Sequence, residues 1–555
     1  MKTNILKTAF FALMALPVFT SCELDQFPTT AVVDEEIWNN PEDPRKFEVG
    51  LIAQFRSIAS LGDYIKDIQV DYYQPNVGYG NRNGYTYRWS FGSSDTDDQT
   101  GYWASMYSVI SQCNYFLSKI GTETVGYEDT GSGPEMVVNI EVNPDLGITE
   151  EADINFIKHY VGEAHFLRAY CYYGLAERYC QDYDPATADA ELGLPLVTSV
   201  DINGRPARAT LQATKEFIDK ELEMANSLFQ FDNQEDLDSW SQSSDENNQK
   251  LYKAYRFSLP LPVLQAFEAR YSVWAHNYDR ALDLADELIN NPSFALATSA
   301  DEFAQMWKYD KGSEFIYVPV ENSDERTSYA SYHGYNATYS NYYPSYGGWY
   351  NPDFIPSQQL INAYSTDDIR STVFFESVGV VFGSSTSLFY DMGGIKLLNK
   401  FPGNPDLCKE ADDPAHSYLN APKPFRIAEQ YLIAAEASYM LGNDADARDY
   451  LNMLRSKRGL SDTDKSGADL FKDIEDEYYR EFVGEGFRLD CLKRWGLGFT
   501  RSGAYQRTNR SNGPVIATNV SEISLSVDAS DKRFVWEIPT NDIETNPNLG
   551  GKNWK

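Results

Sequence analysis

Apolar residues recur every three or four positions along most of the chain, which is the period of an amphipathic helix. Such runs extend from Trp103 to Leu117, from Ile157 to Leu175 and from Phe217 to Phe229. Between them, residues 122–150 are rich in Gly, Glu and Asp, and further on residues 232–248 are acidic and rich in Ser, Asn and Gln. The pattern predicts a mainly α-helical fold, with an inserted loop at 122–150 and a mobile linker at 232–248.

Two later segments repeat one pattern and predict paired helices. Residues 275–289 and 441–454 each place a small residue, Ala281 or Ala447, after a turn, and apolar residues four and seven positions further on. A small side chain there lets two helices approach closely, as in the second helix of a tetratricopeptide-like pair. Two unrelated amphipathic helices are the alternative. The first helices of the pairs are expected at residues 262–274 and 427–440.

The N-terminus is typical of an exported lipoprotein. Two lysines precede the apolar stretch Ala9–Phe19, which is shorter than the ~20 residues of a membrane span. Ser21-Cys22 then resembles the processing site of a bacterial lipoprotein. We predict a signal peptide at residues 1–21, lipidation of Cys22 and a lipidated tether over residues 22–30, with the lipid as the only membrane contact. An ordinary secretory peptide with an incidental cysteine is the alternative.

Charge and motif content exclude several classes of function. The chain has 82 acidic and 47 basic side chains, a formal net charge of −35, whereas a nucleic-acid binder needs a basic footprint. The five histidines form no metal-binding motif, and no nucleophile elbow, Walker A loop or dinucleotide fingerprint occurs. We therefore predict a protein that is not an enzyme and has no cofactor. At Asp95, Asp97 and Asp98, a solvated acidic loop is favoured over a calcium site.

Aromatic residues concentrate in two segments, and the larger of them, residues 327–354, has neither helical nor strand periodicity. Residues 327–354 hold eight Tyr and one Trp, spaced by Ser, Asn, Gly and Pro, and a smaller cluster runs from Tyr72 to Trp103. So many aromatic side chains in loops of small polar residues cannot all be buried in a core. The two segments are therefore candidates for a ligand-binding surface.

Six motifs, in chain order, resemble those of one protein family. They are Trp103-x3-Tyr107-x2-Ile110-x3-Asn114, GEAHFLRAYCYYGLAERY from Gly162, PSQQLI from Pro356 with Asp368-Ile-Arg370, FRIAEQYLIAAEA from Phe425, REFVGEGFRLDCLKRWG from Arg480, and IPTNDIETNPNL from Ile538. Together they resemble the SusD/RagB family of outer-membrane nutrient-binding lipoproteins of the Bacteroidetes. Cys491 stands where the family motif has Asp. The charged residues of these motifs are expected to tie scaffold helices together rather than to touch ligand.

The resemblance implies a fold and a function. The fold is a single SusD-like domain over residues 31–555, with four tetratricopeptide-like helix pairs as scaffold and irregular loops that carry the ligand site. The function is that of a lipoprotein facing the cell exterior, which captures a neutral oligo- or polysaccharide and delivers it to a SusC-like TonB-dependent transporter. A peptide-capturing RagB-like member is one alternative, and a secreted glycosidase is another.

The resemblance also implies that the aromatic loops hold the ligand. We expect residues 79–91 and 332–350 to meet and form one platform, with Trp89 and Trp349 as its main contacts. Tyr and Trp present flat faces to sugar rings, and Asn and Arg can bond to hydroxyl groups. Packing of the same aromatics onto the helical scaffold is the alternative. The candidate ligand-binding residues are Arg82, Asn83, Tyr85, Tyr87, Trp89, Asn341, Tyr343, Trp349 and Tyr350.

Overall fold

The computed structural model describes ten parts of the chain. These are residues 38–75, 83–90, 97–129, 133–231, 234–324, 354–384, 387–409, 419–501, 506 and 525–553. The signal peptide, Cys22 and the tether predicted from the sequence lie outside these residues.

Helices account for most of the described chain, which confirms the predicted mainly α-helical fold. They are α1 Asp43–Ile58, α2 Asp63–Gln69, α3 Gly84–Tyr87, α4 Asp97–Ile120, α5 Glu151–Tyr179, α6 Leu211–Leu228, α7 Gln234–Gln242, α8 Glu246–Tyr255, α9 Leu261–Trp274, α10 Tyr278–Ile289, α11 Ala300–Tyr309, α12 Gln358–Asn362, α13 Arg370–Val373, α14 Ile427–Met440, α15 Asp444–Lys457, α16 Gly467–Glu481, α17 Arg488–Arg494 and α18 Thr540–Thr545.

Short strands connect the helices and pair two by two. They are β1 Tyr73–Pro75, β2 Gly121–Asp129, β3 Pro134–Val142, β4 Leu192–Pro195, β5 Arg208–Thr210, β6 Phe315–Tyr317, β7 Phe354–Pro356, β8 Phe375–Ser384, β9 Ser387–Leu398, β10 Phe425–Arg426, β11 Phe499–Thr500 and β12 Ser526–Val527. The pairs are β1–β7, β2–β3, β4–β5, β6–β10, β8–β9 and β11–β12, all antiparallel. Because the sheets seen in the described ranges have two strands each, the core is built by helices.

Helix α5 is the centre of the core. From Ile157 to Tyr179 all of its residues are buried except Lys158 and Glu177, which are half-buried. A helix that is buried on every face must be surrounded, and α4 and α6 both pack against it. Close approach depends on Gly174, where a Cβ atom would lie 2.6 Å from the hydroxyl oxygen of Tyr102.

The helix pairs predicted from the repeated pattern are present. Helices α9 and α10 pack against each other, as do α14 and α15, and α10 packs on α14. Both predicted small residues, Ala281 and Ala447, are fully buried, and the alanines of α10 meet Ala434 and Ala437 of α14 in one cluster. These contacts confirm the predicted buried faces. Their description as tetratricopeptide-like stays a prediction.

A buried ionic network ties the C-terminal helices to the rest. The guanidinium of Arg458 binds the carboxylates of Glu314 and Glu481, with each of its bonds between 2.8 and 3.0 Å. Arg426 adds bonds to Glu481 at 3.0 Å and to Glu485 at 2.7 Å. Arginine charges lower the pKa of Glu481 well below its usual value, although burial alone would raise it. These contacts agree with the scaffold role expected for the charged motif residues.

Two predictions about intervening segments are wrong. Residues 122–150 hold the hairpin β2–β3 rather than a loop, because TETVGYED and EMVVNIEV contain alternating β-branched residues that pair in register from Gly121↔Val142 to Asp129↔Pro134. Residues 232–248 contribute α7 and the first turn of α8 rather than a mobile linker. The side chain of Asp245 accepts hydrogen bonds from two amides and so begins α8.

Candidate functional site

The first aromatic segment is built on the single helical turn α3. Asn83 precedes it with φ of 55°, and Trp89 follows it with φ of 53°. The amide of Ser90 donates to the carbonyl of Tyr85 at 3.0 Å, and that of Trp89 to the carbonyl of Thr86 at 3.1 Å. This is the Schellman arrangement that ends helices, with Trp89 in the left-handed position usually taken by Gly.

Trp89 is a core residue. Its indole is 0% exposed, its Nε1 donates to the carbonyl oxygen of Gln69 at 2.6 Å, and its ring packs on Phe499 and Phe534 with centroids 5.6 and 5.0 Å away. A ring without an exposed face cannot stack on a sugar. The prediction that Trp89 is a main ligand contact is therefore wrong, and the scaffold alternative applies to it.

Tyr87 is buried beside it, so the same correction holds for this candidate. Its hydroxyl donates to the carbonyl of Tyr73 at 3.4 Å, and its ring lies 5.1 Å from that of Phe354. The guanidinium carbon of Arg501 lies 3.8 Å from the centre of the Tyr87 ring. Tyr87 thus joins β1, β7 and the C-terminal part of the chain instead of facing solvent.

Arg501 fixes this region, although no motif in the sequence marks it. Its guanidinium donates to the carbonyl oxygens of Ile68, Gln69, Val70 and Tyr87 at 2.6–3.1 Å. A cation at the end of α2 satisfies carbonyl groups that the helix leaves unpaired. Burial lowers the pKa of the guanidinium below its usual value. Because Arg501 is 431 positions from Val70, no local pattern could have connected them.

Tyr85 is the exposed aromatic residue of this turn. Its side chain is 59% exposed, and the guanidinium carbon of Arg88 lies 5.7 Å from its ring centre. Asn83, at the start of the turn, is half-buried. An accessible tyrosine face beside a cation and an amide can stack on a ring and donate hydrogen bonds. Tyr85 and Asn83 therefore remain candidates.

The pairing of β1 with β7 links the two aromatic segments. Tyr73 lies opposite Pro356, and Pro75 lies opposite Phe354. The last residue of β1, which leads into the first aromatic segment, therefore lies opposite the first residue of β7, which follows the second segment. Gln506 reinforces this junction, since its amide group donates to the carbonyl of Pro356 at 2.7 Å and its backbone amide to the side chain of Gln74 at 2.8 Å.

The remaining candidates lie outside the described residues. They are Arg82, Asn341, Tyr343, Trp349 and Tyr350 in the aromatic segments, together with Asp95 and the side chains of Asp97 and Asp98. Within the described ranges, no group of three or more His, Cys, Asp or Glu could hold a metal ion.

Two family models match separate parts of the chain. The model described as the SusD family matches residues 397–553, and the model described as "starch-binding associating with outer membrane" matches residues 60–239. The chain belongs to the SusD family. Curated proteins gave no match. In the part of the chain that the structure describes, no helix is long and apolar enough to cross a membrane.

Solved structures similar to the chain share its fold. A SusD superfamily protein from Bacteroides thetaiotaomicron is 22% identical with a TM-score of 0.66, over 93% of this chain and 99% of that one. A SusD-like carbohydrate binding protein from Bacteroides vulgatus is 20% identical with a TM-score of 0.64, over 92% and 97%. The surface glycan-binding protein A from Bacteroides uniformis is 18% identical with a TM-score of 0.61, over 93% and 100%. The chain therefore has the SusD-like fold that the motifs implied.

Proposed function

We propose that the protein is a cell-surface lipoprotein that captures a neutral oligo- or polysaccharide for uptake across the outer membrane. The observation that supports this most is the β1–β7 register, which brings the ends of two Tyr-rich segments next to each other. Exposed Tyr85 stands in the first segment. The similarity to a carbohydrate binding protein and to a surface glycan-binding protein agrees with a saccharide ligand.

The ligand site of this proposal consists of Tyr85 and Asn83 from the first segment and of residues from the second. Tyr343, Trp349 and Tyr350 supply ring faces, and Arg82 and Asn341 supply hydrogen bonds to hydroxyl groups. Aromatic faces set among small polar side chains match a sugar better than a peptide, which would need large apolar pockets or a strand edge for pairing. Tyr87 and Trp89 are left out of the site.

Substitution of one aromatic residue from each segment tests this proposal. Glycan-array binding of the chain from residue 23 onward first identifies a ligand. Trp349→Ala should then lower affinity by about thirtyfold, or ~2 kcal/mol, and Tyr85→Ala by about tenfold. Ile202→Ala is the control, because Ile202 is 89% exposed and belongs to neither aromatic segment. Unchanged affinity in both aromatic variants would contradict this site.

Delivery to a SusC-like TonB-dependent transporter completes the proposed function. A binder held by lipid cannot itself move a saccharide across a membrane, and several acyl chains are needed for stable attachment. Cys22→Ala should release the protein from membranes while leaving glycan binding by the soluble chain unchanged. Affinity purification from native membranes should recover a barrel protein with the parent. A Cys22→Ala protein that stays in the membrane fraction after signal removal would contradict lipid attachment.

The same site has no hydrolytic role in this proposal. We expect purified protein to release no reducing ends from any glycan that it binds. Release above the level of a mock-purified sample would favour the glycosidase alternative. A ligand found only among peptides would favour the RagB-like alternative.

A further inference from the structure

A second groove lies between the hairpin β2–β3 and the helices α6, α9 and α10. Its volume is about 630 Å³, which falls within the range of about 300–1,000 Å³ usual for small-ligand sites. Tyr127, Glu135 and Met136 of the hairpin form one wall. The hairpin is fixed over α6 by the hydrogen bond from the Val138 amide to the Ser227 hydroxyl at 3.0 Å.

The floor of this groove, here called the hairpin groove, is an ordered polar surface. Lys215 and the hydroxyl of Tyr271 both bind Asp219, each at 2.7 Å. A second group of hydrogen bonds is centred on Glu268, which accepts from Arg280 at 2.7 Å and from Asn226 at 2.8 Å. Both carboxylates are therefore occupied by protein donors and held in place.

Glu223 lies close enough to Asp219 and Glu268 to feel the charge of both, but differs from them in its contacts. It is on the same face of α6 as Asp219, one turn further on, and lines the groove. Among the residues that the structure describes, it has no hydrogen-bond or ion-pair partner. Partial burial, and then the charges of Asp219 and Glu268, raise the pKa of its carboxyl. Its two oxygens face a local excess of negative charge and can accept hydrogen bonds from a ligand.

Tyr127 supplies an aromatic face on the opposite wall. Its side chain is 63% exposed, although it sits on a strand whose register is fixed by pairing with Met136. An exposed ring opposite a carboxylate can stack on a sugar ring and also attract a cation.

We propose that the hairpin groove is a saccharide-binding subsite for sugars that carry an unacetylated amine. The lining has four carboxylates, from Glu135, Asp219, Glu223 and Glu268, and two cations, from Lys215 and Arg280, so that a protonated amine is favoured by charge. Its ammonium group pairs with Glu223 while its ring stacks on Tyr127. A basic peptide is disfavoured because the groove offers hydrogen-bonding groups rather than apolar pockets for side chains.

Two matched probes test the amine directly. A glucosamine tetrasaccharide and its fully N-acetylated counterpart differ in the charged amine, and binding is measured by calorimetry with the soluble chain. The glucosamine tetrasaccharide should bind at least tenfold more tightly. Glu223→Gln, which keeps the shape and removes the charge, and Tyr127→Ala should each weaken it about tenfold, with unchanged thermal midpoints. Glu216→Gln, on the same helix but outside the groove lining, is the control.

Several results would overturn the proposal. These are absence of binding by the glucosamine probe, equal binding of both probes, unchanged binding in Glu223→Gln, and equally tight binding of tetralysine. The test of the hairpin groove is independent of the aromatic loops, because the groove lining shares no residue with them. Neutral glycan binding that responds to Tyr85→Ala would stand even if the hairpin groove binds nothing.

Discussion

Trp89 combines an unfavourable backbone with complete burial. A left-handed conformation costs an ordinary residue roughly 1–2 kcal/mol, so the surrounding contacts must more than offset it. These contacts are the hydrogen bond to Gln69 and the rings of Phe499 and Phe534. The turn is therefore held by its side chain rather than by a glycine.

Trp89→Ala should lower the free energy of unfolding by about 3–5 kcal/mol, because a large buried ring is lost. Tyr85→Ala, four positions earlier, should change it by less than ~0.5 kcal/mol, since Tyr85 is exposed. Urea denaturation of the two variants checks this difference. Equal stability of the two variants would contradict the burial of Trp89.

The sequence could predict that this turn is aromatic, but not which ring faces solvent. Tyr85, Tyr87 and Trp89 alternate with polar residues, and the alternation alone would place all three rings on one side. The left-handed residue at position 89 and the remote partners Arg501 and Phe534 decide the outcome. Neither a backbone reversal at Trp nor a contact over 400 positions away has a local sequence signal.

Glu48 and Glu163 form a buried carboxyl pair that makes stability depend on pH. Glu163 accepts a hydrogen bond from the amide of Leu259 at 2.5 Å. Burial raises the pKa of Glu163 to about 8, and burial, followed by the charge of Glu163, raises the pKa of Glu48. The folded state therefore binds more protons than the unfolded state, so this contribution is complete below about pH 4.5 and is lost as the pH rises to about 8.

Glu163→Gln should flatten the dependence of unfolding free energy on pH between about pH 5 and 8, where one group changes the slope by at most ~1.4 kcal/mol per pH unit. The amide keeps an oxygen for the Leu259 bond. Glu151→Gln, at the exposed start of α5, should leave the parent profile unchanged. Denaturant titrations at several pH values measure the unfolding free energy of each variant. A pH profile for Glu163→Gln that is parallel to the parent profile would refute the attribution of this pH dependence to Glu163.

At the scale of elements, two glycines that follow paired helices have the same left-handed backbone but differ in the room left for a side chain. Gly442 follows α14 with φ of 82°, and a Cβ atom added there would have nothing within 4 Å. Gly459 follows α15 with φ of 81°, and its Cβ would lie 2.3 Å from the carbonyl oxygen of Asp367. Gly442→Ala should lower the free energy of unfolding by about 1 kcal/mol, from backbone strain alone. Gly459→Ala should lower it clearly more, because the backbone at Asp367 must also move. Chemical denaturation of both variants checks the order, and equal losses would show that the Asp367 contact relaxes freely.

Helices with one apolar face could be predicted from the sequence, whereas a hairpin whose polar composition obscures its alternating pattern could not. Ala281 and Ala447 marked the paired helices because buried small residues recur at helical spacing. The sequence does not reveal the hairpin within residues 122–150, because the Gly, Glu and Asp content obscures the alternating β-branched residues of TETVGYED and EMVVNIEV. A two-stranded pair with one solvated face carries little apolar signal.

At the scale of the whole molecule, the ionic network around Arg458 joins parts of the chain from Glu314 to Glu481. Arg458→Met should lower the free energy of unfolding by about 3–5 kcal/mol, since two buried carboxylates lose a partner. Lys472→Met breaks an exposed pair with Asp476 and should cost less than ~1 kcal/mol. Thermal and urea unfolding compare the two, and a small loss in Arg458→Met would mean that water replaces its bonds.

The long-range bonds around β1 also set the order in which the molecule can be completed. The side chain of Ser357 reaches a partner 286 positions earlier, and Arg501 reaches one 431 positions earlier. A chain made from its N-terminus must carry the Tyr87 ring without Arg501, and the Trp89 ring without Phe499 and Phe534, until those residues have emerged. Exposed aromatic surface of this kind attracts chaperones and proteases. A product that ends before residue 501 therefore exposes the Tyr87 and Trp89 rings, which the complete protein buries. This exposed surface distinguishes truncated chains from complete ones.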